Sequence, residues 1–175
     1  QMPRRAGVRE CFIPRDGYVY IAADYSIAEL CALAEILQDM FGWTELGETI
    51  RAFIDPHRLL GAEIMGWTLE EMNERHEAGD KKAKDARQLA KAANFGFPGG
   101  LGINTFVVYA KGSWGVDITL DEAAELKERW FARYPEMRSY FAEIGSRGAG
   151  HTTTQFRSGR VRGGLNFTNG WNTLF

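Results

Sequence analysis

The chain has 175 residues, of which 45% are hydrophobic and 25% charged, with a formal net charge of −2. These values are ordinary for a globular protein of one large domain, or one and a half small ones. No apolar run is long enough to cross a membrane and no signal peptide is recognisable, so we expect a soluble, intracellular protein. Cys11 and Cys31 lie among apolar neighbours without CxxC spacing, which favours two reduced, buried thiols over a disulfide or a metal site.

Basic residues concentrate in two parts of the chain. After Glu143 the sequence contains four arginines and no acidic residue, and residues 81–91 contain five basic side chains with only Asp85 among them. Clusters of this kind suit phosphate ligands, although a solvated surface explains them as well.

The first elements surround a short apolar run. Residues 1–15 are expected to be irregular, and residues 18–23 (YVYIAA) predict a buried strand that ends at Asp24. Ser26 and Glu29 have the spacing of a capping box, so a helix is predicted to begin there and to fade by Gly42.

Capping residues and helix breakers divide the rest of the chain. They predict helices over 45–54, from Pro56 to about Met65, from the Thr68 capping box to about Ala78, from Asp80 to Pro98, over 103–111, from the Thr119 capping box to about Arg133, and from Pro135 to about Ile144. Residues 152–156 favour strand, and a turn at 158–159 would pair them with 160–162 in a hairpin. The fold class predicted is α+β, mostly helical.

The helix at 80–96 carries the most informative spacing. Arg87, Lys91 and Phe95 recur every four residues, on one face and over about 12 Å, which matches a triphosphate that ends at a sugar or base. The cations would neutralise phosphate oxygens and the ring would stack. A basic helix with Phe95 in the core explains the same spacing. The P-loop order, GxSxG, HExxH and metal-ligand histidine spacing are absent.

Two carboxylates upstream are further candidates. Asp24, at the end of the predicted strand, is well placed to hold Mg²⁺, although a local cap or turn explains it too. A two-metal site would need at least one more carboxylate close by. Glu29 is explained by its capping box, and a functional role requires it to face a ligand.

Several segments of the chain resemble motifs of the family-A DNA polymerases. DYSIAEL at 24–30 resembles motif A, usually DYSQIELR, and RQLAKAANFG at 87–96 resembles motif B, of the form RxxxKxxNFG. DPHRLLGAEIMG at 55–66 is similar to the DIHxxTAxxxFG segment between them. The stretch 1–26 before motif A, GRVRGG at 159–164 and NTLF at 172–175 are similar to further family segments, in family order.

The resemblance implies a role for each matching residue. Asp24 would be one of two metal-binding aspartates for two Mg²⁺ ions, with the Tyr25 carbonyl also near a metal, and Glu29 would be the steric gate that excludes ribonucleotides. The implied residues are Asp24, Arg87 and Lys91 for catalysis, Tyr25, Ser26, Glu29, His57, Arg87, Lys91 and Phe95 for substrate binding, and Gly99, Arg157, Arg160 and Arg162 for nucleic-acid binding.

The resemblance also implies an incomplete right-hand architecture. Residues 1–40 would be part of the palm with the motif A strand and helix, 41–146 the fingers with the mobile motif B helix at 80–96, and 147–175 a hairpin that returns toward the palm. The implied reaction is DNA-templated transfer of deoxyribonucleotides to a primer 3′-OH. A non-catalytic nucleic-acid-binding domain with the same fold is the alternative, while Glu29 and NFG argue against an RNA polymerase.

Three departures from the family pattern qualify this interpretation. Cys31 replaces the usual Arg, Gly99 replaces a Tyr beside the template base, and the second catalytic carboxylate lies beyond the chain end. We therefore expect a fragment, inactive alone, whose partners are primer-template DNA, deoxyribonucleoside triphosphates and the remainder of a polymerase chain. We also expect a phage-like or divergent bacterial member, in the cytoplasm of a bacterium or a phage-infected cell.

Overall fold

The computed structural model describes residues 7–155 and 157–165, and this part of the chain is α+β and mostly helical. The helices are α1 Ala28–Phe41, α2 Glu45–Arg51, α3 Pro56–Met65, α4 Leu69–Glu77, α5 Lys81–Gly96, α6 Ile103–Tyr109, α7 Leu120–Arg133 and α8 Glu136–Ser146. A 3₁₀ turn spans Arg9–Cys11, and a π-helical turn, Ala110–Trp114, follows α6. Within the described ranges, no helix has the length and apolarity needed to cross a membrane.

The predicted helix boundaries are largely confirmed because local capping chemistry fixes them. The Asp55 side chain accepts from the His57 backbone N–H at 2.8 Å, Pro56 occupies the first turn of α3, and Gly66 ends this helix in the left-handed conformation. Thr119 and Glu122 form the complete capping box of α7. The Thr68 box is only half formed, since Glu71 accepts from Arg75 instead.

Helix α5 lies at the centre of the helical part, and α3 packs against it more extensively than any other helix does. Small side chains on α5, including Ala86, Ala90 and Ala93, are buried and let the neighbouring helices approach. A Cβ atom added at Gly61 of α3 would lie 3.4 Å from the Ala86 backbone. This close approach brings the start of α3 against the side of α5 that carries Arg87 and Asn94.

The predicted strand over residues 18–23 is wrong. The segment has no strand assignment, and its side chains are exposed, for example 80% at Val19 and 90% at Ile21. An extended segment needs a neighbouring strand to satisfy its backbone and cover its apolar side chains. Among the described residues the only sheet is the two-stranded one at 151–165, and it does not include this segment.

Two other sequence predictions near α1 are also wrong. The helix begins at Ala28 rather than at Ser26, and Ile27 precedes it in the left-handed conformation with no side-chain cap. A capping box at Ser26 and Glu29 is therefore not formed, because the chain reaches helical geometry two residues later. The two cysteines are free, as expected, but both are exposed rather than buried.

The predicted C-terminal hairpin is confirmed. Strand β1 (His151–Thr154) pairs antiparallel with β2 (Val161–Leu165), with an irregularity between His151 and Thr153. Arg157, in the connecting turn, forms an ion pair with Glu35 of α1 and lies 3.8 Å from Asp39. The hairpin turn is thereby linked to α1. The predicted features at residues 1–6 and the NTLF segment at 172–175 lie outside the described residues.

Candidate functional site

The first turn of α3 orients the first cation of α5. Asp55 uses Oδ1 to cap α3, and its Oδ2 accepts from Arg87 Nε at 3.0 Å and from Arg87 Nη2 at 2.9 Å. Burial pushes the pKa of Asp55 upward, but the hydrogen bond and charge of Arg87, with the His57 backbone N–H, outweigh it, so this pKa is lowered. Asp55 therefore stays ionised and fixes the guanidinium at the side of α5.

A buried hydrogen-bond network holds α3, α5 and α7 together at the site. Asn94 Nδ2 donates to the Pro56 carbonyl at 3.2 Å and lies 3.1 Å from His57 Nδ1. Asn94 Oδ1 accepts from Trp130 Nε1 at 3.1 Å. Since an amide nitrogen only donates, His57 Nδ1 must accept, and the neutral ring carries its hydrogen on Nε2.

His57 is held as a neutral ring. Its side chain is only 1% exposed, and burial lowers its pKa to about 4, with the charges of Arg87 and Lys91 acting in the same direction and Asp55 against them. His57 Nε2 is buried, and no described residue accepts a hydrogen bond from it. In this arrangement His57 supports the ring of Phe95 rather than presenting a charge to solvent.

An aromatic stack lines the face of α5. The Phe95 ring packs near two others: His57, with centroids 5.6 Å apart and planes tilted by 42°, and Trp114, with centroids 5.8 Å apart and planes within 8°. Lys91 Nζ lies 5.2 Å from the centroid of the Trp114 ring, within cation–π range. As predicted, Lys91 and Phe95 lie on one face of α5. The π-helical turn brings Trp114 onto that face.

A cavity of about 450 Å³ lies between α1 and the C-terminal end of α5. Its lining residues are Ala28, Glu29, Leu30, Ala32, Leu33, Asn94, Phe95, Pro98 and Gly99. The structure thus brings together three residues that the sequence singled out from two separate motifs: Glu29, Phe95 and Gly99. The first turn of α1 supplies a carboxylate, the last turn of α5 supplies the Phe95 ring, and Gly99, just beyond α5, has no side chain.

The residues immediately before α1 do not line this cavity. Asp24, Tyr25 and Ser26 lie in the exposed segment, and Tyr25 is 88% exposed. A magnesium ion needs several oxygen ligands, and in the described ranges no group of three or more His, Cys, Asp or Glu residues is close enough to hold a metal ion. The residues described around Asp24 do not by themselves form a Mg²⁺ site.

The arginines of the hairpin lie apart from the cavity. Arg157 contacts the acidic side of α1, while Arg160 and Arg162 are exposed on the turn and on β2. Arg162 pairs with Thr153 in the register of the sheet. These arginines remain predicted nucleic-acid contacts.

The sequence does not single out three residues of the site as functional. It predicts Asp55 only as a helix cap, although the place of Asp55 in the DPH segment is a usable signal. Asn94 is part of the NFG match, which assigns it no role. Trp114 lies 19 residues beyond Phe95, and no local pattern indicates that its ring returns to α5.

Comparisons with known proteins agree with the motif order. The profile of DNA polymerase family A matches residues 1–170. DNA polymerase I of Aquifex aeolicus is 30% identical over 137 residues, which is 78% of this chain and 21% of that protein. DNA polymerase I of Deinococcus radiodurans is 31% identical over 157 residues, 89% of this chain and 14% of that protein. The chain thus spans about a fifth or less of these relatives.

A third relative gives the same result. DNA polymerase I of Geobacillus stearothermophilus is 31% identical over 142 residues, 78% of this chain and 14% of that protein. The matched region contains the cavity residues of α1 and α5 and the network that supports them. Because the family profile covers nearly all of its residues, the chain belongs to DNA polymerase family A.

Proposed function

We propose that this chain is the nucleotide-binding part of a DNA-templated DNA polymerase, which transfers deoxyribonucleotides to a primer 3′-OH. The observation that carries the proposal is the cavity lined by Glu29 of α1, Phe95 of α5 and Gly99, which follows α5. Those residues come from the two motifs that resemble family motifs A and B. The sugar and base of the incoming nucleotide would occupy this cavity, and its triphosphate would run along α5.

The charges on α5 fit the triphosphate. Lys91 lies about one turn and Arg87 about two turns before Phe95, and their positive charges would stabilise the negative charge that develops on the leaving pyrophosphate. Arg87 is already oriented by Asp55. His57, in the conformation described, would act by supporting Phe95, and a direct phosphate contact would require its Nε2 to become accessible.

Glu29 would act as the steric gate of the cavity. A carboxylate on the first turn of α1 would leave no room for a 2′-hydroxyl, so ribonucleotides would be excluded. Gly99 leaves space where the family pattern has a tyrosine, so the template base would be positioned by another group.

Two Mg²⁺ ions are part of the proposal for the full-length protein, in which Asp24 and the Tyr25 carbonyl would be metal ligands. The described residues do not complete such a site, so further ligands would have to come from outside them. Ser26 would lie beside the bound nucleotide, next to these ligands.

The same resemblance to the family motifs supports a right-hand architecture. Residues 1–40 would belong to the palm, 41–146 to the fingers and 147–175 to a hairpin that returns toward the palm. Arg157, Arg160 and Arg162 would lie toward the DNA backbone. The protein would be a phage-like or divergent bacterial polymerase that works in the cytoplasm.

Primer extension by the full-length protein with Mg²⁺ tests the proposal. Wild-type protein is expected to add the nucleotide that the template specifies, and Lys91→Ala should lower kcat/KM by about 100-fold or more, because a charge on the triphosphate is lost. Arg51→Ala is the control that removes a positive charge outside the site, since Arg51 of α2 is exposed and paired with Glu48. Its kcat/KM should remain near the wild-type value. Nucleotide binding without templated incorporation would instead favour a non-catalytic binding domain.

Replacement of Glu29 tests the gate separately. Glu29→Ala should reduce discrimination against ribonucleotides by about 10- to 100-fold, because space opens at the 2′ position. Glu70→Ala, at an exposed position of α4, should leave discrimination unchanged. Equal ribonucleotide incorporation by wild type and Glu29→Ala would refute the gate while leaving polymerase activity intact.

A further inference from the structure

Trp114 occupies the part of the α5 face along which a triphosphate would run. Its ring is parallel to Phe95 at 5.8 Å and lies under Lys91 Nζ at 5.2 Å. Gln88, one turn before Lys91 on nearly the same side of α5, donates to the Trp114 carbonyl at 3.3 Å. Trp114 is absent from the lining of the cavity that contains Glu29. The ring therefore covers Phe95 on the side of Lys91 and leaves the side that lines the cavity open.

In this covering position Trp114 does not make all of its possible hydrogen bonds. Trp114 Nε1 is buried and finds no hydrogen-bond acceptor among the described residues. An unpaired buried N–H is unfavourable, so movement of the ring toward water or toward a phosphate oxygen would recover a hydrogen bond. Ring contacts therefore stabilise this position of Trp114, whereas the unpaired Nε1–H destabilises it.

The backbone around Trp114 permits such movement. The ring is carried by a single π-helical turn, Ala110–Trp114, a feature that often occurs at functional sites. Gly112 lies within the turn with open space around it, and Gly115 ends it at a φ of 69°. Both glycines allow backbone adjustment without moving α5.

We propose that Trp114 covers the Lys91–Phe95 face in the nucleotide-free protein and is displaced by the incoming triphosphate, so that it sets nucleotide affinity. This role rests on the proposed function. Because the nucleotide binds only the uncovered state, the apparent affinity is reduced by the fraction of molecules in which the ring has moved away.

Kinetics of the full-length protein in primer extension test the role. Trp114→Ala should lower the KM for the correct deoxyribonucleoside triphosphate by about three- to tenfold, because binding no longer displaces a stack and a cation–π contact. Inorganic tripolyphosphate, used as a competitive inhibitor, should bind more tightly by a similar factor. Trp114→Phe, which keeps the stack but offers Lys91 a weaker ring, should give a smaller decrease in both constants.

Acrylamide quenching supplies a readout that a structural role would not change. The fluorescence difference between wild type and Trp114→Phe isolates Trp114, and its quenching should rise when the nucleotide is added. Trp43→Ala, which removes a ring 48% exposed outside the site, is the matched control and should leave KM unchanged. If Trp114→Ala does not fold, as judged by circular dichroism, the quenching test and Trp114→Phe still apply.

The possible outcomes separate this role from the polymerase assignment. An active wild type with unchanged or higher KM in folded Trp114 variants, or with Trp114 quenching that nucleotide leaves unaltered, would overturn the role of Trp114 alone. Failure of the wild type to bind or incorporate nucleotides would overturn the proposed function, and the role of Trp114 with it.

Discussion

The α3–α5 side of the site and the segment before α1 differ in what holds them in place. On the α3–α5 side, Asp55, Asn94 and Trp130 join three helices through hydrogen bonds of 2.9 to 3.2 Å. Before α1, Asp24 follows a run of apolar side chains that are exposed, with Ile21 90% accessible. The α3–α5 side is fixed by contacts within the described residues, whereas no contact among those residues buries the segment before α1.

This difference shows which part of the site is preorganised. A helix satisfies its own backbone, so α5 needs only side-chain partners to position Arg87 and Phe95. A strand depends on neighbours for every backbone hydrogen bond and cannot present Asp24 in a fixed place without them. The residues of α5 proposed to face the nucleotide are therefore ordered by the described chain itself, while the metal-ligand candidate is not.

The largest expected effect comes from breaking the network on the ordered side. Asn94→Ala would leave the Pro56 carbonyl, His57 Nδ1 and Trp130 Nε1 without their buried partner. We expect a loss of about 2–4 kcal/mol in the free energy of unfolding, measured by urea denaturation with circular dichroism.

The matched control for Asn94→Ala is Asn104→Ala, at an exposed position of α6. It should change the free energy of unfolding by less than about 0.5 kcal/mol. Equal stability of the two variants would mean that the buried network does not hold α3 against α5.

The sequence predicts the structure correctly where the determinants are local. Asp55-Pro56 and Thr119 with Glu122 fixed helix starts, because each acts on backbone groups within three residues. It failed at residues 18–23, where apolar β-branched composition indicates a strand but cannot supply the strand that would pair with it. Trp114 could not be placed because its contact with Phe95 depends on the path of α6 and the π-helical turn.

A smaller effect is expected from the pH dependence of the same region. The pKa of His57 is lowered by burial to about 4 in the folded protein, against about 6.5 when unfolded. Between pH 4 and pH 6.5 the unfolded state binds a proton at His57 that the folded state does not bind. The free energy of unfolding is therefore highest above pH 6.5 and falls as the pH decreases toward 4. The expected loss is up to about 3 kcal/mol, measured by urea unfolding at several pH values.

His57→Gln tests whether that loss belongs to the buried ring. The variant should be less stable at pH 7 but should show a flatter profile between pH 6.5 and 4. The contribution of Asp55, whose pKa is lowered, is lost only at lower pH, as the carboxylate becomes protonated. An unchanged slope in His57→Gln would assign the effect to other groups and weaken the description of His57 as a neutral support.

The smallest effect is expected on the exposed side. Ile21→Ser should change the free energy of unfolding of this chain by less than about 0.5 kcal/mol, because the side chain is already 90% exposed. Leu37→Ala, at a position 0% exposed in α1, is the contrasting control and should cost about 2–5 kcal/mol. If residues 18–23 form a covered palm strand in the full-length protein, Ile21→Ser will be clearly destabilising there. A negligible effect in both proteins would argue against a buried motif A strand, and with it against a fixed position for Asp24.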